Sequence, residues 1–251
     1  MISIDLNADL GESFGRYTLG MDEKIMEVIS SANIACGFHA GDPMVMERTV
    51  RLAAEAGIAI GAHPGFPDLM GFGRRNMAVS PEEARAYILY QLGALDAFLR
   101  PMGIRMRHVK PHGALYNMAA ADEQLARAIC GAVNDFDPEL RLVGLSGSLL
   151  IRAAEKTGLR AISEVFADRA YEADGSLVSR RKPGAIISDE REALRRVIRM
   201  VKEGKVKAIN GEEIAIRAES VCVHGDGEKA LLFAKSIREA LTANDIQVSP
   251  G

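Results

Sequence analysis

Short apolar runs alternate along this chain with longer stretches in which apolar residues return every three to four positions. This βαβα rhythm repeats about seven times. Strands are predicted near Ser3–Asn7, Asn33–Cys36, Ile58–Ala62, Met106–Lys110, Leu142–Leu145, Ala161–Val165 and Val221–Val223. They are dense in apolar residues, as expected when both faces of a strand are covered, and that points to a parallel sheet wrapped in helices, an α/β barrel. The clearest helix opens at Ser80-Pro81-Glu82-Glu83. Ser80 caps it, Pro81 suits its first turn and Glu83 completes a capping box, so the helix should run to about Met102-Gly103. Further helices are predicted over Met21–Ser30, Pro43–Ala56, Asp122–Val133, Ser148–Lys156, Asp189–Glu203 and Lys229–Thr242. Val206–Ile216 breaks the rhythm: Asn210-Gly211 between apolar flanks predicts a small β-hairpin ahead of the last barrel strand. Two long loops, Gly65–Ala78 and Tyr171–Gly184, are rich in Gly, Arg and Asp. They suit binding loops and plain solvated connections equally well.

With 251 residues, 48% of them hydrophobic, the chain can bury a full core, and residues 1–251 are read as one barrel domain. A net charge of −3 without runs of like charge gives no field to draw nucleic acid, so small solutes are the expected partners. No stretch resembles a leader or a membrane span, and a cytoplasmic location is expected. Cys36, Cys130 and Cys222 are odd in number and far apart, and read as small buried hydrophobes.

The position of the polar residues changes the picture more than their number. They follow almost every apolar strand at its C-terminal end, where barrel enzymes keep their sites. The first strand runs into Asp5, Asn7, Asp9 and Glu12, and the period of two along a strand turns Asp5, Asn7 and Asp9 to one face, the barrel interior. Later strands end in His39, in His63, in His108, Lys110 and His112 followed by Tyr116 and Asn117, in Glu164, Asp168, Arg169 and Tyr171, and in His224 and Asp226. All five histidines fall on or just after a strand, and four of them, His39, His63, His112 and His224, sit beside a glycine or proline turn. Scattered surface histidines would show no such pattern.

Lys110, near the end of an apolar strand, must find a carboxylate or lose its charge, and Asp5 and Asp9 are the inward acids within reach. Asp9, His39 and His63 form a set that could hold a divalent metal, although a hydrogen-bonded acid–base network explains the same residues as well, and no strict metal requirement is expected. The segment Gly144–Ser148 can offer backbone N–H groups to an anion at a helix start, and Arg74-Arg75 and Arg180-Arg181-Lys182 can meet an anionic group. Neither a Walker-type phosphate loop nor a dinucleotide fingerprint occurs.

Asp5-Leu-Asn-Ala-Asp-Leu-Gly-Glu12, Asn33-Ile-Ala-Cys-Gly-Phe-His-Ala-Gly-Asp42, His63-Pro-Gly-Phe-Pro-Asp68, Gly71-Phe-Gly-Arg-Arg75, Val109-Lys-Pro-His-Gly-Ala-Leu-Tyr-Asn117, Glu164-Val-Phe-Ala-Asp-Arg-Ala-Tyr171 and Val223-His-Gly-Asp226 together closely resemble the LamB/YcsF family. The resemblance runs in order from the first strand to the last helix. It implies an incomplete seven-stranded (β/α) TIM-like barrel of the glycoside hydrolase/deacetylase type. It also implies the ATP-dependent opening of 5-oxo-L-proline to L-glutamate together with two further subunits, B and C, with ATP held by the assembled complex. Gly227-Glu228-Lys229 departs from the Asp-x-Pro start expected of the last helix, which leaves its first residue open.

For that chemistry the chain must supply a base, an oxyanion stabiliser and a cation. His112 or Asp9 is assigned as the base, His39 and His63 as acid–base partners or oxyanion stabilisers, and Lys110 as the cation. Asn7, Glu12, Arg75, Tyr116, Glu164, Asp168, Arg169 and His224 are assigned to substrate binding, Arg75 and Arg169 as second candidates for a carboxylate or phosphate. Substitution of Lys110 or His112 by alanine is expected to cost turnover rather than stability. The alternative readings are a metal-dependent hydrolase or deacetylase and a non-catalytic carrier subunit.

Overall fold

A computed structural model describes residues 2–223 and 227–251. In chain order its elements are β1 (Ile2–Leu10), α1 (Asp22–Ile25), β2 (Ser31–Ala35), α2 (Pro43–Glu55), β3 (Ala59–His63), α3 (Pro81–Leu99), β4 (His108–Val109), α4 (Gly113–Ala119), α5 (Glu123–Phe136), β5 (Arg141–Leu145), α6 (Leu149–Thr157), β6 (Arg160–Phe166), α7 (Glu190–Glu203), β7 (Lys205–Lys207), β8 (Glu213–Ala215), β9 (Ser220–Val223), α8 (Glu228–Ala243) and β10 (Ile246–Val248).

Seven of the strands close a parallel ring in the order β1-β2-β3-β4-β5-β6-β9, with β9 returning to β1. The closure is set by Glu164 pairing with Ser220 and Ser220 with Asp5, so the first and the last ring strands share one layer of the interior. All seven predicted ring strands are present, and the apolar positions facing away from the axis pack beneath the helices, Leu6, Ala8, Ile34, Val165 and Val221 among them. β7 and β8 form the antiparallel hairpin expected around Asn210-Gly211.

Four local expectations change. The helix over Met21–Ser30 is only the single turn of α1, because the chain must straighten to bring the Ser30 N–H onto the Leu6 carbonyl and start β2. α3 has the Ser80–Glu83 capping box but ends at Leu99. A 3-10 turn over Arg100–Met102 follows, closed by Gly103 at φ 67°. α4 and β10 were not expected: α4 buries Ala114, Leu115 and Ala119, and β10 pairs with Ile2–Ile4 outside the ring. α8 begins at Glu228, with Gly227 in the capping position.

The barrel axis is lined with polar groups at rising heights. Lowest is Asp5, whose carboxylate accepts hydrogen bonds from the hydroxyls of Ser30, Ser31 and Ser220 at 2.5–2.7 Å. Burial raises its pKa against the lowering effect of those three hydroxyls. Above it Asn33 Nδ2 donates to Asn7 Oδ1 at 2.7 Å and His108 Nε2 donates to Asn33 Oδ1 at 2.7 Å. The His108 ring lies so close to β3 that a Cβ on Gly61 would meet it at 2.3 Å, which explains a glycine inside a barrel strand. Above these layers the ring opens into the site.

Candidate active site

At the C-terminal ends of the strands lies a cavity of 730 Å³, bordered by Asp9, Glu12, His63, Lys110, His112 and Tyr116 and by the arginines Arg74, Arg152, Arg169 and Arg180. Both long loops border it, through Arg74 of the first and 174–181 of the second, so both are placed to act as binding loops.

Lys110 sits where the β4 strand ends and is almost wholly buried. Its Nζ lies 2.7 Å from Glu164 Oε1, 3.0 Å from Asp9 Oδ1, 3.0 Å from Asn7 Oδ1 and 3.2 Å from Cys222 Sγ. Burial alone would depress its pKa, but the neighbouring Asp9, with Glu164 behind it, more than offsets this and holds the ammonium charged. Glu164 in turn accepts from Asn7 Nδ2 at 3.0 Å and from the Tyr116 hydroxyl at 2.7 Å. Burial, reinforced by Glu164, keeps that phenol protonated as the donor. Lys110 is thus paired with the expected inward acid Asp9 and with Glu164 rather than with Asp5, whose carboxylate is taken by three serines. Its charge is committed to two carboxylates of the protein, which leaves little of it for a substrate carboxylate. Cys222 is buried as expected and adds a weak acceptor to the same network.

The histidines form a second group above this pair. His63 Nδ1 faces the Lys110 carbonyl at 2.6 Å, and His112 Nε2 faces the Phe72 carbonyl at 2.8 Å. A carbonyl only accepts, so each of these nitrogens carries the proton. The remaining nitrogens, His63 Nε2 and His112 Nδ1, face each other at 3.0 Å. His39 stacks flat on His112, with ring centroids 3.7 Å apart, and its Nε2 lies 3.3 Å from Glu12 Oε1. Burial first, and the adjacent imidazoles second, hold His39 well below the ordinary histidine range and His112 at about 3. Space for the stack depends on two glycines: a Cβ on Gly65 would lie 2.6 Å from His39 Nδ1, and one on Gly73, at φ 62°, would lie 2.7 Å from His39 Cβ.

Asp9 links the two groups. One oxygen meets Lys110 and the Asn33 amide, and the other lies 3.3 Å from His63 Nε2, while the side chain borders the cavity. The structure therefore brings Asp9, Glu12, His39, His63, Lys110 and His112 together. Glu12, His39, His63 and His112 each turn one donor atom to a common point, all four atoms within 4.8 Å of one another. The candidate metal set read from the sequence, Asp9, His39 and His63, is thus changed: Glu12 and His112 join His39 and His63, and Asp9 stands beside the group.

The remaining expected residues divide. Tyr116 and Arg169 border the cavity. Asn7 and Glu164 lie beneath it and support Lys110. Arg75 does not border it: its guanidinium is bound to Asp68, whose carboxylate also caps Gly71 N–H, and the adjacent Arg74 takes the place at the cavity wall. In an irregular loop successive side chains diverge, so the Arg74-Arg75 pair could not be resolved without the turn that Asp68 builds. Asp168 is half-buried behind the wall, and His224 lies outside the described residues. Sequence reasoning missed Asn33, which joins Asn7, Asp9 and His108, although its position on an inward face was a usable signal. It also missed Arg152 at the rim, one solvent-facing position among many on a helix.

A parallel barrel with imidazoles and carboxylates converging on a cavity at its strand ends is the architecture of a (β/α)-barrel enzyme. The particular lineage follows from comparison: the chain belongs to the LamB/YcsF family, whose model matches residues 4–251. It is 60% identical over 250 residues to the 5-oxoprolinase A subunit of Clostridium beijerinckii, covering 100% of this chain and 98% of that protein. It is 58% identical over 247 residues to the protein of the same name from Pyrococcus abyssi, covering 98% and 97%. The lactam utilization protein from Thermus thermophilus superposes with a TM-score of 0.94 at 52% identity, covering 99% of both chains. Among the described residues no helix is long and apolar enough to cross a membrane.

Proposed function

We propose that this chain is the A subunit of a 5-oxoprolinase. In a complex with two further subunits, B and C, it opens the lactam of 5-oxo-L-proline to L-glutamate while ATP is hydrolysed. The observation that carries the reading is identity of 58–60% over nearly the whole length of relatives that bear that name. The site supports it chemically, with carboxylates, imidazoles and arginines lining one cavity.

A lactam is a stabilised amide, and a five-membered ring recloses readily, so hydrolysis gains from coupling to ATP. Phosphorylation of the amide oxygen makes the carbonyl carbon a better electrophile. Asp9 serves as the base for water, because it faces the cavity while Lys110 holds its other oxygen. His63 Nε2, a lone pair beside Asp9, is placed to take up that proton. Arg169, buried and with Nη2 on the Val178 carbonyl, and Arg74 receive the anionic groups of the substrate, a role that Lys110 cannot fill while neutralised.

ATP belongs to the assembled complex in this reading, since the chain carries no standard phosphate loop. Glutamate release from 5-oxoproline and ATP is measured for the chain alone, for the partners alone and for all three together, with calorimetric titration of ATP into the chain. Activity only in the three-subunit mixture, with no micromolar ATP binding by the chain, is expected. ATP-dependent release by the chain alone, or none by the mixture, overturns the assignment.

A further inference from the structure

We infer that Glu12, His39, His63 and His112 form a binding site for one divalent transition-metal ion.

The first argument is spacing. An ion held tetrahedrally by nitrogen and oxygen at about 2.0–2.1 Å needs donor atoms about 3.3 Å apart. His63 Nε2 and His112 Nδ1 are 3.0 Å apart, Glu12 Oε1 and His39 Nε2 3.3 Å, and Glu12 Oε1 and His112 Nδ1 3.6 Å.

The second argument is the tautomers. The Lys110 and Phe72 carbonyls fix the protons of His63 and His112 on their outer nitrogens, so the inner nitrogens present lone pairs to each other at 3.0 Å. Two bare acceptors at that distance repel, and either a proton or a metal ion between them relieves it; the Glu12 carboxylate and His39, converging on the same point, supply the further donors that an ion needs and a proton does not. A histidine that gives its outer N–H to a backbone carbonyl and turns its other nitrogen inward is the usual arrangement of a metal ligand. The residues holding those carbonyls come from a strand end and from the Gly65–Ala78 loop, so the orientation is imposed from two sides.

His39 completes the set differently. Its Nδ1 is buried without a hydrogen-bond partner among the described residues, and its ring lies flat on His112. Without an ion its Nε2 carries the proton towards the Glu12 carboxylate, so metal binding moves that proton to Nδ1, and the ring must tilt away from His112 for both lone pairs to reach one ion. Three imidazoles and one carboxylate select zinc, cobalt, nickel or copper over calcium, magnesium and manganese, which prefer oxygen. Glu12, His63 and His112 border the cavity, so the ion would face it. This deepens the proposed lactam chemistry and rests on it only for the ion's role, polarising the carbonyl or the attacking water.

The test uses the full-length chain, freed of any affinity tag and stripped with a chelator, without substrate or partners. After dialysis against Zn²⁺ or Co²⁺, metal content is determined by elemental analysis and the melting temperature by calorimetry. One ion per chain, a higher melting temperature and the intense visible bands of low-coordinate Co²⁺ are expected. His63→Ala should lower the affinity at least a hundredfold, and so should Glu12→Gln, whose side chain is partly exposed and whose fold is checked by circular dichroism. Binding of less than a tenth of an equivalent, or undiminished binding in a folded Glu12→Gln variant, overturns the site. Because no 5-oxoproline is present, either outcome leaves the 5-oxoprolinase assignment to its own assay.

Discussion

Lys110 Nζ lies 2.7 Å from Glu164 Oε1, and neither side chain is more than 3% exposed. Breaking such a pair by removing one partner strands the other charge in a dry interior, which costs about 3–5 kcal/mol. Lys110→Met is therefore expected to destabilise the chain by about that amount in urea denaturation, contrary to the expectation from sequence that stability would be spared. Adding Glu164→Gln should recover part of the loss. A shift of under about 1 kcal/mol for Lys110→Met would show that the pair is solvated in practice.

Asp9→Asn keeps an oxygen for Lys110 and removes the base. In the assembled complex kcat should fall at least about a hundredfold while KM stays within a few-fold, the pattern of an interaction made only in the transition state. Turnover within tenfold of the native complex would remove Asp9 from the chemistry.

His108 supplies a pH dependence of known sign. Burial first, and Lys110 second, hold its folded-state pKa at about 3, against about 6.5 when unfolded. Between those values the unfolded chain binds a proton that the folded chain does not, so stability is complete above about pH 6.5 and is lost as pH falls, at about 1.4 kcal/mol per unit. His112, also held at about 3, adds in the same direction. His108→Gln, which keeps a donor for Asn33, should flatten the slope of unfolding free energy between pH 6 and 4. An unchanged slope would mean that other groups govern the acid limb.

Gly65→Ala tests whether the histidine stack needs its floor. The added Cβ would lie 2.6 Å from His39 Nδ1, so the ring must move, at about 1–3 kcal/mol of stability and with loss of activity. Gly93→Ala, in α3 with nothing within 4 Å of the new carbon, should instead be neutral or stabilising by up to about 1 kcal/mol. Equal effects of the two substitutions would argue against a packed stack.

Much of this molecule is legible in one dimension. Strands covered on both faces must be apolar throughout, so all seven ring strands stand out. The period of two puts Asp5, Asn7 and Asp9 on one face wherever β1 lies, and the structure shows those three at successive heights of one network. The strand-end histidines could be read as a group for the same reason: their positions follow from where apolar runs stop. α4 and β10 escaped because a seven-residue helix and a three-residue strand carry too few periods to register.

Local preference along the chain thus determined the seven-fold strand–helix rhythm, the inward face of β1 and the gathering of ionisable groups at one end of the barrel. Which of those groups meet was decided only by closure of the ring. Asn7 finds Glu164 because β6 joins β9 and β9 joins β1, and that closure brings together side chains 157 positions apart. Glu12 joins His112 because the segment after β1 turns back over the strand ends, and Arg75 rather than Arg74 is lost to Asp68 because one loop turn points them apart. Hydrogen bonds and ion pairs act over about 3 Å, whatever the separation in sequence, so the partners of a buried charge are a property of the folded barrel.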